Sequence, residues 1–171
     1  MSIRSVIDIR YAQIRSMDIS NSEGISVSLF VQGCDFHCKG CFNSETWDYY
    51  GGKEWTEEIR NKFFELIDRP YIKRISILGG EPLCDENLFL TDLVVRNVKE
   101  KVPDVEIYIW TGFLYEQIKK IATTNSHMDF ILSNSHCIID GPFIEKERDI
   151  TLPMCGSRNQ RVIYLDKSEN L

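Results

Sequence analysis

Short apolar runs alternate with stretches of helical periodicity along most of this chain, and that alternation limits the fold more than any other feature. Residues 26–32, Ser-Val-Ser-Leu-Phe-Val-Gln, read as a buried strand that Gly33 ends. Thr56 is placed to cap a helix running to about Asp68, because Ile59, Phe63, Leu66 and Ile67 recur at helical spacing and form one buried stripe. Pro70 closes that helix. Residues 73–78 form a second strand, stopped by Gly79-Gly80, and a second helix follows from about Glu86 to Lys99 with Leu90, Leu93, Val94 and Val98 inward. Residues 105–110 are a third strand, and Leu114, Ile118 and Ile121 mark a third helix. Residues 129–132 and 136–139 are short strand candidates, and 161–165 a last one.

Such alternation predicts an α/β protein with a parallel sheet and helices outside it. A closed eight-unit barrel takes roughly 250 residues. With 171 residues the chain is too short for that, so the expected fold is a partial (open) parallel β/α barrel. It is expected to form a single domain over residues 1–171, with residues 166–171 as a polar, frayed tail. In such sheets the working residues gather at the C-terminal strand ends. Gly33 to Cys41, Gly79 to Pro82, and Thr111 with Gly112 all fall there.

Composition narrows the function classes. The formal net charge is -6 and the pI about 5.1, so the surface repels phosphate backbones and direct nucleic-acid binding is not expected. No run of 18 apolar residues exists to cross a membrane. Arg4, Asp8, Arg10 and Arg15 interrupt the uninterrupted apolar stretch that a signal peptide needs, so the expected location is cytoplasmic. In that compartment six cysteines argue for metal binding or catalysis rather than disulfides.

Three of the six lie within eight residues, Cys34-Asp-Phe-His-Cys38-Lys-Gly-Cys41, with spacing C-x3-C-x2-C. Three thiolates on one short loop can converge on one metal centre. Iron–sulfur clusters are held by cysteines, and three ligands on a four-iron cluster leave one iron open. Gly33 and Gly40 let the loop turn tightly. A zinc site using His37 as fourth ligand is the plainer alternative, but the second half that small zinc sites pair with is missing. His37 itself reads as a solvated loop residue. Cys84 and Cys137 read as small buried hydrophobes.

C-x3-C-x2-C after an N-terminal strand resembles the cluster signature of the radical S-adenosylmethionine (SAM) superfamily, and Gly79-Gly80-Glu81-Pro82 resembles its glycine-rich SAM segment. The resemblance implies a barrel of the radical SAM type and a [4Fe-4S] cluster on Cys34, Cys38 and Cys41. SAM would chelate the open iron, with its amino group at the strand end formed by Gly79, Gly80, Glu81 and Pro82. Gly40 and Phe42 would hold the adenine by backbone and ring. Thr111 is a further candidate contact, read equally well as a turn residue. Reductive cleavage of SAM would yield methionine and a 5′-deoxyadenosyl radical.

Three more segments narrow the resemblance: Trp110-Thr111-Gly112, Asp140-Gly-Pro-Phe143 and Gly156-Ser-Arg-Asn-Gln-Arg161. With them, residues 10–165 resemble the activating proteins of anaerobic (class III) ribonucleoside-triphosphate reductases. That family implies a reductase as protein partner, hydrogen abstraction from one of its glycines, and an electron donor of flavodoxin type. Arg158, Asn159, Gln160 and Arg161 are then candidates for hydrogen bonds to the partner or the site. Asp140 reads as an ordinary turn residue and Trp110 as core packing. Cys155 departs from the pattern, standing where a larger, often basic, residue is expected. The competing readings are another radical SAM enzyme and a zinc- or cluster-bearing binding module.

Overall fold

The computed structural model describes residues 8–21 and 24–165. The polar tail 166–171 lies outside the described residues. Seven strands form one sheet: β1 (Arg10–Asp18), β2 (Ser26–Val31), β3 (Lys53–Glu54), β4 (Arg74–Gly79), β5 (Glu106–Trp110), β6 (Cys137–Asp140) and β7 (Arg161–Tyr164). The helices are α1 (Glu57–Ile67), α2 (Asp85–Lys101), α3 (Tyr115–Ala122) and α4 (Ser126–Asn134). The sheet order is β3-β1-β2-β4-β5-β6-β7.

The four central strands β2, β4, β5 and β6 run parallel. Both flanks are antiparallel: β1 on β2, β3 on β1, and β7 on β6. The fold is therefore α/β with a mixed sheet, and the parallel part is confined to the middle. β1 and β3 carry no strand signal strong enough to read from sequence. The exposure of β1 alternates irregularly and its register on β2 shifts twice.

α1 is built as its sequence predicts. Thr56 accepts a hydrogen bond from the Ile59 backbone N–H at 3.2 Å, which satisfies one of the first-turn donors. Residues 129–132, expected as a strand, lie inside α4. Asn125 starts that helix by accepting from the N–H groups of His127 and Met128 at 3.0 and 3.1 Å, and Met128 and Ile131 bury one face three residues apart. A four-residue apolar run has no period of its own, so the cap decides.

Alternation along each strand sends its two sets of side chains to opposite faces. Val27, Leu29 and Val31 of β2, Ile75 and Ile77 of β4, and Ile107 and Ile109 of β5 join Phe63, Ile67, Val94, Val98, Ile118 and Ile131 of the helices in one core. The other set includes Phe30, Leu78 and Trp110, and these line a cavity of about 550 Å³. So the helices serve one face, and the opposite face is left for a site. Among the described residues no helix is long and apolar enough to cross a membrane.

Candidate functional site

The loop after β2 is pinned to its surroundings by backbone groups. Gly33 N–H donates to the Thr46 carbonyl at 2.7 Å, and Cys34 N–H to the Trp47 carbonyl at 3.2 Å. On the other side, the Gly33 carbonyl accepts from Glu81 N–H at 2.8 Å and from Asn87 Nδ2 at 3.2 Å. This binds the end of β2 to the end of β4. Gly33 has φ +105° with the Tyr49 ring against it, and a Cβ on Gly80 would overlap the Gly33 carbonyl. Both positions need glycine.

Cys34, Cys38 and Cys41 are all partly exposed free thiols, and all three line the cavity. Asn43 N–H donates to Cys41 Sγ at 3.4 Å. The backbone at Phe36 and His37 favours the ionised form of Cys34, and that at Phe143 favours it for Cys38. Burial pushes the Cys34 thiol up to about 11 and raises that of Cys38, with these backbone groups acting in the opposite direction. Such donors suit sulfur that carries negative charge, as a metal-bound thiolate does. Among the described residues no three His, Cys, Asp or Glu side chains stand close enough to hold a single metal ion. Three thiols with a backbone donor beside them are a soft, anionic donor set of the kind that holds an iron–sulfur cluster. His37 is exposed and stacks on Trp47 with ring centroids 4.6 Å apart.

Gly79, Gly80 and Glu81 line the same cavity as the thiols. Glu81 is 2% exposed. Its Oε1 accepts from Leu83 N–H at 3.0 Å and from the Thr111 hydroxyl at 2.7 Å, and its Oε2 from Gly112 N–H at 2.7 Å. Burial outweighs these donors and pushes the carboxyl up to about 7. Thr111 and Phe42 also line the cavity, whereas Gly40 and Pro82 do not. Pro82 is buried and its carbonyl accepts from Thr91 Oγ1 at 2.7 Å. Gly40 lies against the Glu145 side chain.

Trp110, expected in the core, stands on the cavity wall and donates through Nε1 to the Met154 carbonyl at 2.7 Å. Asp140 ends β6 instead of starting a turn. It is fully buried, accepts from Tyr115 N–H at 2.8 Å, and pairs with Arg161. Arg161 also pairs with Glu116 at 2.8 Å, so its guanidinium ties β6, β7 and α3 together. Cys84 is half-buried, its thiol donating to the Glu81 carbonyl at 3.2 Å, and Cys137 is fully buried. Arg15, Asn21, Leu152, Met154 and Cys155 also stand on the wall, and so do Phe143, Gly156 and Gln160 of the segments singled out from sequence. Sequence reasoning missed the first four of these. Strand alternation alone would have found Phe30 and Leu78, but the loop residues carry no such signal.

Comparison with known proteins gives one consistent answer. Residues 20–163 match the family model described as a 4Fe-4S single cluster domain. An anaerobic ribonucleoside-triphosphate reductase-activating protein from Vibrio cholerae is 34% identical over 88% of this chain and 94% of its own length. The protein of the same name from Escherichia coli is 31% identical over 91% of this chain and 98% of its own. That of enterobacteria phage T4 is 32% identical over 89% and 92%.

Proposed function

The chain belongs to the family of anaerobic ribonucleoside-triphosphate reductase-activating proteins and carries a 4Fe-4S cluster domain, and on that premise we propose that it is a radical SAM activase of such a reductase. The observation that carries the reading is the meeting of three loop thiols and the Gly79-Gly80-Glu81 strand end on one cavity. The sheet, with helices on one face and the cavity on the other, supports assigning it to the open barrel type within one domain.

A [4Fe-4S] cluster on Cys34, Cys38 and Cys41 would supply the electron that cleaves SAM to methionine and a 5′-deoxyadenosyl radical, which takes hydrogen from a glycine Cα of the reductase. The chain's own residues do the rest. Backbone groups at residues 36, 37, 43 and 143 favour the ionised thiols. Gly79 and Gly80 leave the strand end bare, so that carbonyl groups can meet an ammonium group. Glu81 adds negative charge beside them, and Thr111 acts by holding that carboxylate through its hydroxyl. The Phe42 ring, 55% exposed, offers an apolar face for adenine beside Cys41, with Gly40 and Pro82 shaping the two turns from outside the cavity. Phe30, Leu78 and Trp110 exclude water from the cavity floor. The reading carries a flavodoxin-type electron donor and a cytoplasmic setting, where thiols stay reduced.

The test is anaerobic reconstitution with iron and sulfide, then reduction with SAM and a class III reductase, followed by low-temperature electron paramagnetic resonance. The expected result is a glycyl-radical doublet on the reductase that Cys38→Ala abolishes, along with the cluster signal. SAM cleavage without a glycyl radical would leave a radical SAM enzyme and sink the activase reading. A protein holding zinc instead would sink both.

A further inference from the structure

Between β6 and β7 the chain leaves the sheet and returns through Gly156-Ser-Arg-Asn-Gln160. The amide side chains in that return bond to the protein's own backbone. Gln160 Oε1 accepts from Gly156 N–H at 2.8 Å and Ser157 N–H at 3.2 Å, and its Nε2 donates to the Gly141 carbonyl at 2.9 Å. Asn159 Nδ2 donates to the Pro142 carbonyl at 2.7 Å, and its Oδ1 accepts from Ser157 Oγ at 2.6 Å. Ser157 Oγ in turn accepts from Ile144 N–H at 3.2 Å. Three side chains, Gln160, Asn159 and Ser157, thus lock residues 141–144 against residues 156–157.

Both locked pieces press on the cysteine loop. The Phe143 ring stands 5.1 Å from that of Phe42. A Cβ on Gly156 would come within 2.8 Å of Phe42 Cε2, so the turn lies flat on that ring. The Arg148 guanidinium sits 5.2 Å from the same ring, and Lys39 pairs with Glu145 at 3.2 Å. The Phe143 backbone lies beside the Cys38 sulfur and favours its ionised form. Without Gln160, the donors of Gly156 and Ser157 and the acceptor of Gly141 lose their partner together.

We infer that Gln160, assisted by Asn159, is a positioning residue: through Phe143 and Gly156 it sets the place of the Phe42 ring and of the Phe143 backbone beside Cys38, and so tunes the SAM pocket and the cluster. The inference rests on the cluster and SAM reading given above. An N–H on a cluster sulfur favours the more negative, reduced state, and so raises the potential. A ring held in one place presents its face to a ligand without an ordering cost.

The experiment uses the full chain, reconstituted without oxygen, as wild type, Gln160→Ala, Gln160→Glu and Lys120→Ala. The cluster potential is read by a redox titration followed by electron paramagnetic resonance, SAM affinity by calorimetry, and folding by Tm. Gln160→Ala is expected to lower the potential and to weaken SAM binding about tenfold, a typical cost of losing an outer-shell partner. Gln160→Glu keeps the acceptor for Gly156 and Ser157 but loses the donor to Gly141, and should fall between. Lys120, exposed on α3 and away from the cavity wall, should give wild-type values on both readouts when changed to Ala. Wild-type potential and SAM affinity in Gln160→Ala, with Tm alone reduced, would overturn the inference. If that variant does not fold, Gln160→Glu decides by the same two readouts. A wild-type chain that takes up no cluster or binds no SAM would overturn the proposed function instead, and that outcome is visible before any variant is made.

Discussion

Asp18 and Glu81 are carboxylates buried at opposite ends of the same sheet, 4% and 2% exposed. Asp18 ends β1 beside the first residue of β2. It accepts from Ser20 N–H at 2.9 Å, Ser20 Oγ at 2.6 Å, Asn21 Nδ2 at 2.6 Å and Ser28 Oγ at 2.7 Å. Arg15 stands 3.6 Å away. Burial pushes its carboxyl up, but these hydrogen bonds outweigh burial and hold it at about 2. Glu81 has three donors, none of them a cation, and burial wins, raising it to about 7. At one end the carboxylate is satisfied by its own donors. The other keeps a carboxylate that is costly to ionise, at the wall of a cavity, where an entering positive charge would stabilise it. That arrangement supports the ammonium contact proposed above.

The comparison can be broken most strongly at Asp18. Asp18→Asn puts an amide among donors and removes the partner of Arg15, and should cost about 3 kcal/mol at neutral pH by urea unfolding. The wild-type contribution is present above the unfolded value of 3.8 and is lost as pH falls towards 2. The variant should lack that acid slope. If it keeps the slope, Asp18 is not the group responsible.

Glu81→Gln should cost less, about 2 kcal/mol, because one amide donor must face a backbone donor of Leu83 or Gly112, or the Thr111 hydroxyl. Its pH signature has the opposite sign. A carboxyl raised from 4.5 to about 7 favours the native state below the lower value, and that contribution is lost as pH rises through the higher one. Unfolding curves between pH 4.5 and 8 should therefore slope down in the wild type and flatten in the variant. Equal slopes would erase the contrast between the two ends.

Thr56→Ala lies away from both carboxylates and sharpens the scale. Losing the cap on Ile59 should lower stability by about 1 kcal/mol, read from denaturant midpoints with no change in pH dependence.

The helices and central strands were legible because their signals are local. The stripe of Ile59, Phe63 and Ile67 needs only the helical period, and Thr56 only its place before it. β4 stops where Gly79 takes φ +102°. α4 was misread because Asp129 to Leu132 is too short to show a period, and the deciding cap, Asn125, lies four residues upstream. β1 and β3 were not legible because antiparallel flanking strands pair through backbone groups, and their side chains need not alternate cleanly. At the site, the three cysteines and the glycine turn stand out by spacing alone. Arg15, Asn21, Leu152 and Met154 do not, since they reach the cavity from three separate loops or strands.

By itself, the amino-acid sequence determined the residue types that any chemistry here must use: three thiols on one loop, a bare strand end with a carboxylate, and a core-forming alternation between them. These are written in spacing and period, which no later packing alters. Only the tertiary structure decided that Glu81 is satisfied by Thr111 and Gly112, thirty residues away, that Trp110 faces the cavity, and that Gln160 bonds the protein's own loops. Hydrogen-bond partners depend on which backbone groups folding leaves without water, and that is settled only when the strands are side by side.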